Sequence, residues 1–136
     1  MKKLFIIQIA SFLAMTNVSA QTIESSNRST TAYINSDGTI ENSNHSVVGY
    51  IKSDGSIENA NHSIIGYIKD DGSIENGNHS TVGYIKANGT VEDNFHSTLG
   101  YIKNDGTVED SNHSTIGYTN GVKKRWVAVA YFFFSF

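Results

Sequence analysis

The sequence predicts an all-β protein: five 17-residue β-hairpin repeats closed into a pseudo-five-fold ring, with a C-terminal aromatic strand. Three observations predict it. His recurs at His45, His62, His79, His96 and His113, and Tyr at Tyr33, Tyr50, Tyr67, Tyr84, Tyr101 and Tyr118. A turn pair keeps the same beat at Asp37-Gly38, Asp54-Gly55, Asp71-Gly72, Asn88-Gly89 and Asp105-Gly106. Thr22-Ile23-Glu24 and Asn27-Arg28-Ser29 match the second half of a unit, while Gly117-Tyr118 begins another. A fixed period of this kind marks a small unit that cannot bury its apolar face alone and must lean on copies of itself.

The chain divides into an N-terminal leader (1–20), a partial repeat (21–31), five hairpin repeats (32–116) and a closing half-repeat with an apolar strand (117–136). In the leader, Lys2 and Lys3 precede an apolar run from Leu4 to Met15, and Val18-Ser19-Ala20 offers the small residues a signal peptidase needs. The mature chain is expected to start at Gln21 and to be exported, periplasmic or extracellular. The apolar run is about 12 residues, short of the roughly 20 that span a bilayer as a helix, so no transmembrane span is expected in the mature chain. The sequence has no Cys and no Pro. A disulfide framework is therefore excluded, and stability must come from packing and backbone pairing.

Within a repeat, Asp-Gly between short runs of Tyr, Ile and Val is a strong hairpin signal. A two-residue loop would place Ile51 opposite Glu58. A three-residue loop, Ser53-Asp54-Gly55 with Gly55 in the left-handed conformation, places Ile51 opposite Ile57, Lys52 opposite Ser56 and Tyr50 opposite Glu58. The second register pairs like with like and is the one predicted. Asn59-Ala60-Asn61 reads as a second turn, with His62 leading into the next strand. Ile65 and Ile68 have odd spacing, which calls for a bulge at Gly66 if both are to face the core. Three aliphatics per unit, represented by positions 51, 57 and 65, are the expected core, and position 64 is expected to face outward.

Open arrays carry degenerate polar caps, but here the terminal hairpins are as regular as the middle ones, and the two ends supply complementary halves of one unit. A closed ring follows. Beyond it, residues 126–136 (WVAVAYFFFSF) form an apolar, strand-prone tail. The tail is expected to pack on the ring as a final strand, followed or not by a plug; peripheral membrane attachment or self-association through 126–136 stands as the alternative. A membrane-spanning barrel is disfavoured, because its strands need about 9 to 11 residues and these are about four long.

Ten basic residues, less Lys2 and Lys3, leave eight against thirteen acidic ones, interspersed along the chain. Nucleic acid is therefore not an expected partner. Lys123-Lys124-Arg125 reads as a solvated strand edge. Asp37-Gly38-Thr39-Ile40-Glu41 superficially suggests a calcium loop, but the places that should hold its other oxygen ligands carry Tyr33, Asn35 and Asn44, and in later units the second is a Lys. Asn44-His45-Ser46 fits a glycosylation acceptor only formally, and the glycines follow no phosphate-cradling pattern. Near-identical repeats supply equal roles, whereas catalysis needs differently placed acid and base groups. No enzyme and no cofactor are expected.

Two ligand-binding sets remain. The five His (His45, His62, His79, His96, His113) would form a ring near the axis, able to take a metal or an anion, unless each simply bonds the Asn-rich turn beside it. The six Tyr (Tyr33, Tyr50, Tyr67, Tyr84, Tyr101, Tyr118) would form a rim for stacking on sugars, unless they cover the hairpin faces.

The unit Gly-Tyr-Ile-Lys-x-Asp-Gly-x-Ile-Glu-x-x-Asn-His-Ser-x-Ile, repeated five times between residues 32 and 116 behind a leader and ahead of an aromatic tail, resembles the five-fold beta-flower proteins. The resemblance implies a ring of five hairpin petals in an exported bacterial protein, with no established activity. Ala32, Asn35 and Phe95 depart from the consensus Gly, Lys and Asn. The expected function is a non-enzymatic exported structural or interaction protein at the cell envelope, its partner an envelope protein or glycan. The alternative is a multivalent glycan- or metal-binding module.

Overall fold

A computed structural model describes residues 21–136; the expected leader lies outside the described residues. Among the described residues, twelve short strands follow one another: β1 Thr22–Ser25, β2 Thr30–Ile34, β3 Thr39–Asn42, β4 Val47–Ile51, β5 Ser56–Asn59, β6 Ile64–Ile68, β7 Ser73–Asn76, β8 Thr81–Ile85, β9 Thr90–Asp93, β10 Thr98–Ile102, β11 Thr107–Asp110 and β12 Thr115–Asn120. Each is hydrogen-bonded to its sequence neighbours, and β1 pairs antiparallel with β12, so the sheet closes into a barrel.

The predicted hairpin register holds: Tyr50 lies opposite Glu58 and Ile51 opposite Ile57. Lys52 N–H donates to the Ser56 carbonyl at 2.8 Å and Gly55 N–H to the Lys52 carbonyl at 3.0 Å, closing a three-residue loop with Gly55 at φ +91°. Only glycine fits there, because a Cβ would stand 2.3 Å from the carbonyl oxygen of Ile68 on the next hairpin. The bulge is present beside Gly66, with Ile65 as the extra residue. Ile51 and Ile57 are buried and Ile65 is partly buried against the same core, while Ile64 is 48 % exposed.

Three expectations are corrected. The ring closes, but it contains six antiparallel pairs, not five. β12 and β1 make the sixth, with Tyr118 opposite Glu24 and Gly117 opposite Ser25, the same register as Tyr50 with Glu58 and Gly49 with Asn59. The half-repeats at the two ends are complementary, and joining them removes both free edges. The second turn is displaced by one residue. His62 N–H donates to the Asn59 carbonyl and Asn59 N–H to the Ser63 carbonyl, each at 3.0 Å, so the loop is Ala60-Asn61-His62 with His62 at φ +64°.

The tail is helical, not a strand. α1 (Lys124–Ala128) runs into a π-helical turn (Val129–Phe133), and Val127, Ala128 and Val129 are fully buried. A closed ring offers no edge for another strand, and a helix satisfies its own backbone groups inside an apolar barrel. The tail rings then follow one another around the inner wall: Tyr131 on Gly117, Phe132 on Gly100, Phe133 on Gly83, Phe134 on Gly66 and Phe136 on Gly49. An α-helix turns each residue through about 100°, and a π turn through less, nearer the roughly 60° between six pairs. These inward glycines are thus explained by contact on two sides: a Cβ at Gly83 would lie 2.4 Å from the Phe133 ring and 2.4 Å from the Glu92 carbonyl oxygen of the neighbouring strand. Tyr131 also donates its hydroxyl to the Glu24 carbonyl, fastening the plug to the seam, and burial pushes that hydroxyl's pKa up to about 12.

Gly83→Ala should therefore cost about 1–3 kcal/mol by overpacking, although the backbone there is ordinary. Shortening Phe133 to Leu in the same chain should recover part of the loss. Urea unfolding midpoints check both, and an unchanged midpoint for Gly83→Ala contradicts the ring-on-glycine packing.

Candidate functional site

The outer surface is built from the residues that alternate with the core. On β4, Tyr50 faces out beside the inward Ile51, and Glu58 stands opposite it on β5. The left-handed His62 folds its imidazole back over Tyr50, with ring centroids 4.3 Å apart and planes 16° from parallel. Its Nδ1 lies 2.8 Å from Glu58 Oε1. A carboxylate accepting from Nδ1–H leaves Nε2 as the acceptor of the neutral ring.

The same cluster recurs at Tyr33–His45, Tyr67–His79, Tyr84–His96 and Tyr101–His113, at 4.2 to 4.4 Å. Each His keeps its Glu, through Glu41, Glu75, Glu92 and Glu109, at 2.9 to 3.0 Å. The His96 hydrogen bond, followed by that from Lys86, holds the Glu92 carboxyl below its ordinary pKa; the His113 bond does the same for Glu109. Both are therefore anionic acceptors at neutral pH. Lys86 and Lys103 stand 3.0 and 3.2 Å from these carboxylates.

At the seam the cluster is completed by other residues. Arg28, at φ +70°, places its guanidinium 3.5 Å above the Tyr118 ring and 3.6 Å from Glu24. A cation thus occupies the place that imidazole holds elsewhere. The six predicted Tyr and five predicted His are all in the girdle, five Tyr each stacked with a His and Tyr118 with Arg28. Arg28 and the Glu series were missed as site residues, although Arg28 lies one period, 17 residues, before His45.

The expected ring of imidazoles near the axis is not formed. The plug fills the axis, and the imidazoles lie on the outer surface with side chains about 60 % exposed. Among the described residues, no group of three or more His, Cys, Asp or Glu is arranged to hold a metal. The Tyr do not form a free rim either, since each has one face covered by an imidazole or guanidinium.

The basic cluster is likewise not a strand edge. It crosses the Asp-Gly mouth of the barrel, where Arg125 donates to the Lys69 and Asp70 carbonyls at 3.2 and 2.9 Å and Lys124 to Asn104 Oδ1. These bonds tether the plug to the turns. Phe95, which replaces the loop Asn of other units, is 80 % exposed. No helix among the described residues is long and apolar enough to cross a membrane.

The family described as 5-fold beta-flower protein matches residues 20–135, nearly the whole chain. The chain belongs to this family. Five units of the beta-flower are continuous in sequence, and the sixth strand pair is the joint between the ends. No curated protein and no solved structure matches the chain.

The girdle yields a test by substitution. A non-glycine residue held left-handed costs about 1–2 kcal/mol, which the Tyr50 stack and Glu58 bond offset in His62. His62→Ala should keep the strain and lose both contacts, destabilising the flower by about 1–2 kcal/mol. His62→Gly should fall closer to the parent, and His62→Arg, which copies Arg28, should be near neutral. Thermal melts that rank Ala above Arg contradict this reading of the cluster.

Proposed function

We propose that this beta-flower is a non-enzymatic, exported structural or interaction protein of the bacterial cell envelope, and that its outer girdle is the working surface. Membership of the family supports a small structural protein. The observation that carries the interaction reading is the repetition of one exposed Tyr–His–Glu cluster five times, completed by Tyr118, Arg28 and Glu24. Equal clusters suit many weak, equivalent contacts that add through multivalency. They do not suit catalysis, which needs one distinguished nucleophile or base.

An envelope glycan is the partner chemistry that fits best. Flat imidazole faces stand beside Tyr hydroxyls, carboxylates and Lys, offering stacking and hydrogen bonds to sugar rings without a deep cavity. A metal partner is less well supported, because the ligating groups are spread one cluster per unit.

Purified residues 21–136 should cosediment with isolated envelope polysaccharide. A triple variant, His45→Gly, His62→Gly and His79→Gly, keeps the turn conformation while removing three neighbouring imidazoles, and should bind at least tenfold more weakly, roughly the loss of one multivalent order. Equal sedimentation of parent and variant, or none of the parent at high protein density, refutes the girdle as a glycan surface.

A further inference from the structure

The plug reveals a vacancy in the barrel's own pattern. Six strand pairs surround the tail, and each has an inward position at the level of Gly49, namely residues 32, 49, 66, 83, 100 and 117. Five of these are glycines, and each carries one six-membered ring from the tail. The sixth is Ala32, and the tail rings Tyr131, Phe132, Phe133, Phe134 and Phe136 are all engaged elsewhere. At this sixth position lies an open pocket of about 380 Å³, lined by Ala32, Val48, Tyr131 and Phe136, with Thr31, Asn42 and Ser135 among its polar lining.

We infer that this pocket is a binding site for a small single-ring aromatic molecule bearing one polar substituent. The size and shape of the occupant are stated five times by the protein itself, since each equivalent slot is filled by a benzene or phenol ring. A pocket of this volume lies within the range of small-molecule sites, and its lining offers about as much polar as apolar surface, which suits a ring that carries a polar substituent. The ring would lie between Tyr131 and Phe136, continuing the aromatic succession, and its substituent would face Asn42 and Ser135. Tyr131 supplies a precedent at the adjacent slot: the hydroxyl end of its ring stands over Gly117, and the hydroxyl bonds the Glu24 carbonyl. The Ala32 methyl takes up part of the depth that glycine leaves open at the other five positions, so it sets how far the ring enters. The site is separate from the outer girdle and stands whether or not the girdle binds a glycan.

Phenol is the probe, titrated into residues 21–136 while the methyl resonances of Ala32 and Val48 are followed by NMR. Ring-current shifts of both methyls that saturate are expected. Ala32→Leu should fill the slot and weaken phenol binding at least tenfold while retaining the parent's dispersion. Ala32→Gly should tighten it about threefold to fourfold, the value of one methyl's room. The two variants act in opposite directions, so a folding defect in one cannot imitate the pattern. Methyls that do not move up to the solubility limit of phenol, affinity indifferent to both substitutions, or equal shifts from cyclohexanol would each overturn the assignment.

Discussion

The structure depends on the pairing of β1 with β12. Strands of four to six residues make hairpins too small to stand alone in water. Each must be hydrogen-bonded on both sides, and that is possible for the first and last only if they find one another. Because the seam keeps the register of the internal hairpins, the inward positions stay in line around the whole circumference. That alignment makes the barrel interior regular enough for one short segment to fill it, each ring meeting a glycine.

The two mouths solve the same geometric problem with different chemistry. Both use a three-residue loop ending in the left-handed conformation. At one mouth the residue is Gly, because the neighbouring hairpin's carbonyl leaves no space for a Cβ. At the other it is His, and the backbone cost is offset by stacking on Tyr and bonding to Glu. The side chain retained at that strained position is what gives the outer surface its repeated polar and aromatic character. Arg28 at the seam follows the same rule, which ties the girdle to closure.

Much of the fold was legible in the sequence because period, turn chemistry and cross-strand matching are local. Asp54-Gly55 set the loop, the pairing of Ile51 with Ile57 set the register, and the odd spacing of Ile65 and Ile68 demanded the bulge. Complementary ends signalled closure, but a count of whole repeats did not include the pair they make together. The tail misled because Trp126 to Phe136 has the composition of a strand, whereas its conformation is set by the absence of a free edge and by a cavity only the assembled barrel defines. The girdle was half legible: Tyr, His and Glu were visible as periodic, but their convergence required knowing that His, not Asn, closes the second turn. Without that, the imidazoles could be placed at the axis.

Closure is best tested by native-state hydrogen exchange, read amide by amide. If β1 and β12 complete the barrel, their paired amides should exchange as slowly as those of β5 to β8, through the same global opening. Rapid exchange at Glu24 and Tyr118, the pair bonded across the seam, beside slow exchange in the middle strands would mean an open array with frayed ends, and the account of the plug and the girdle would fail with it.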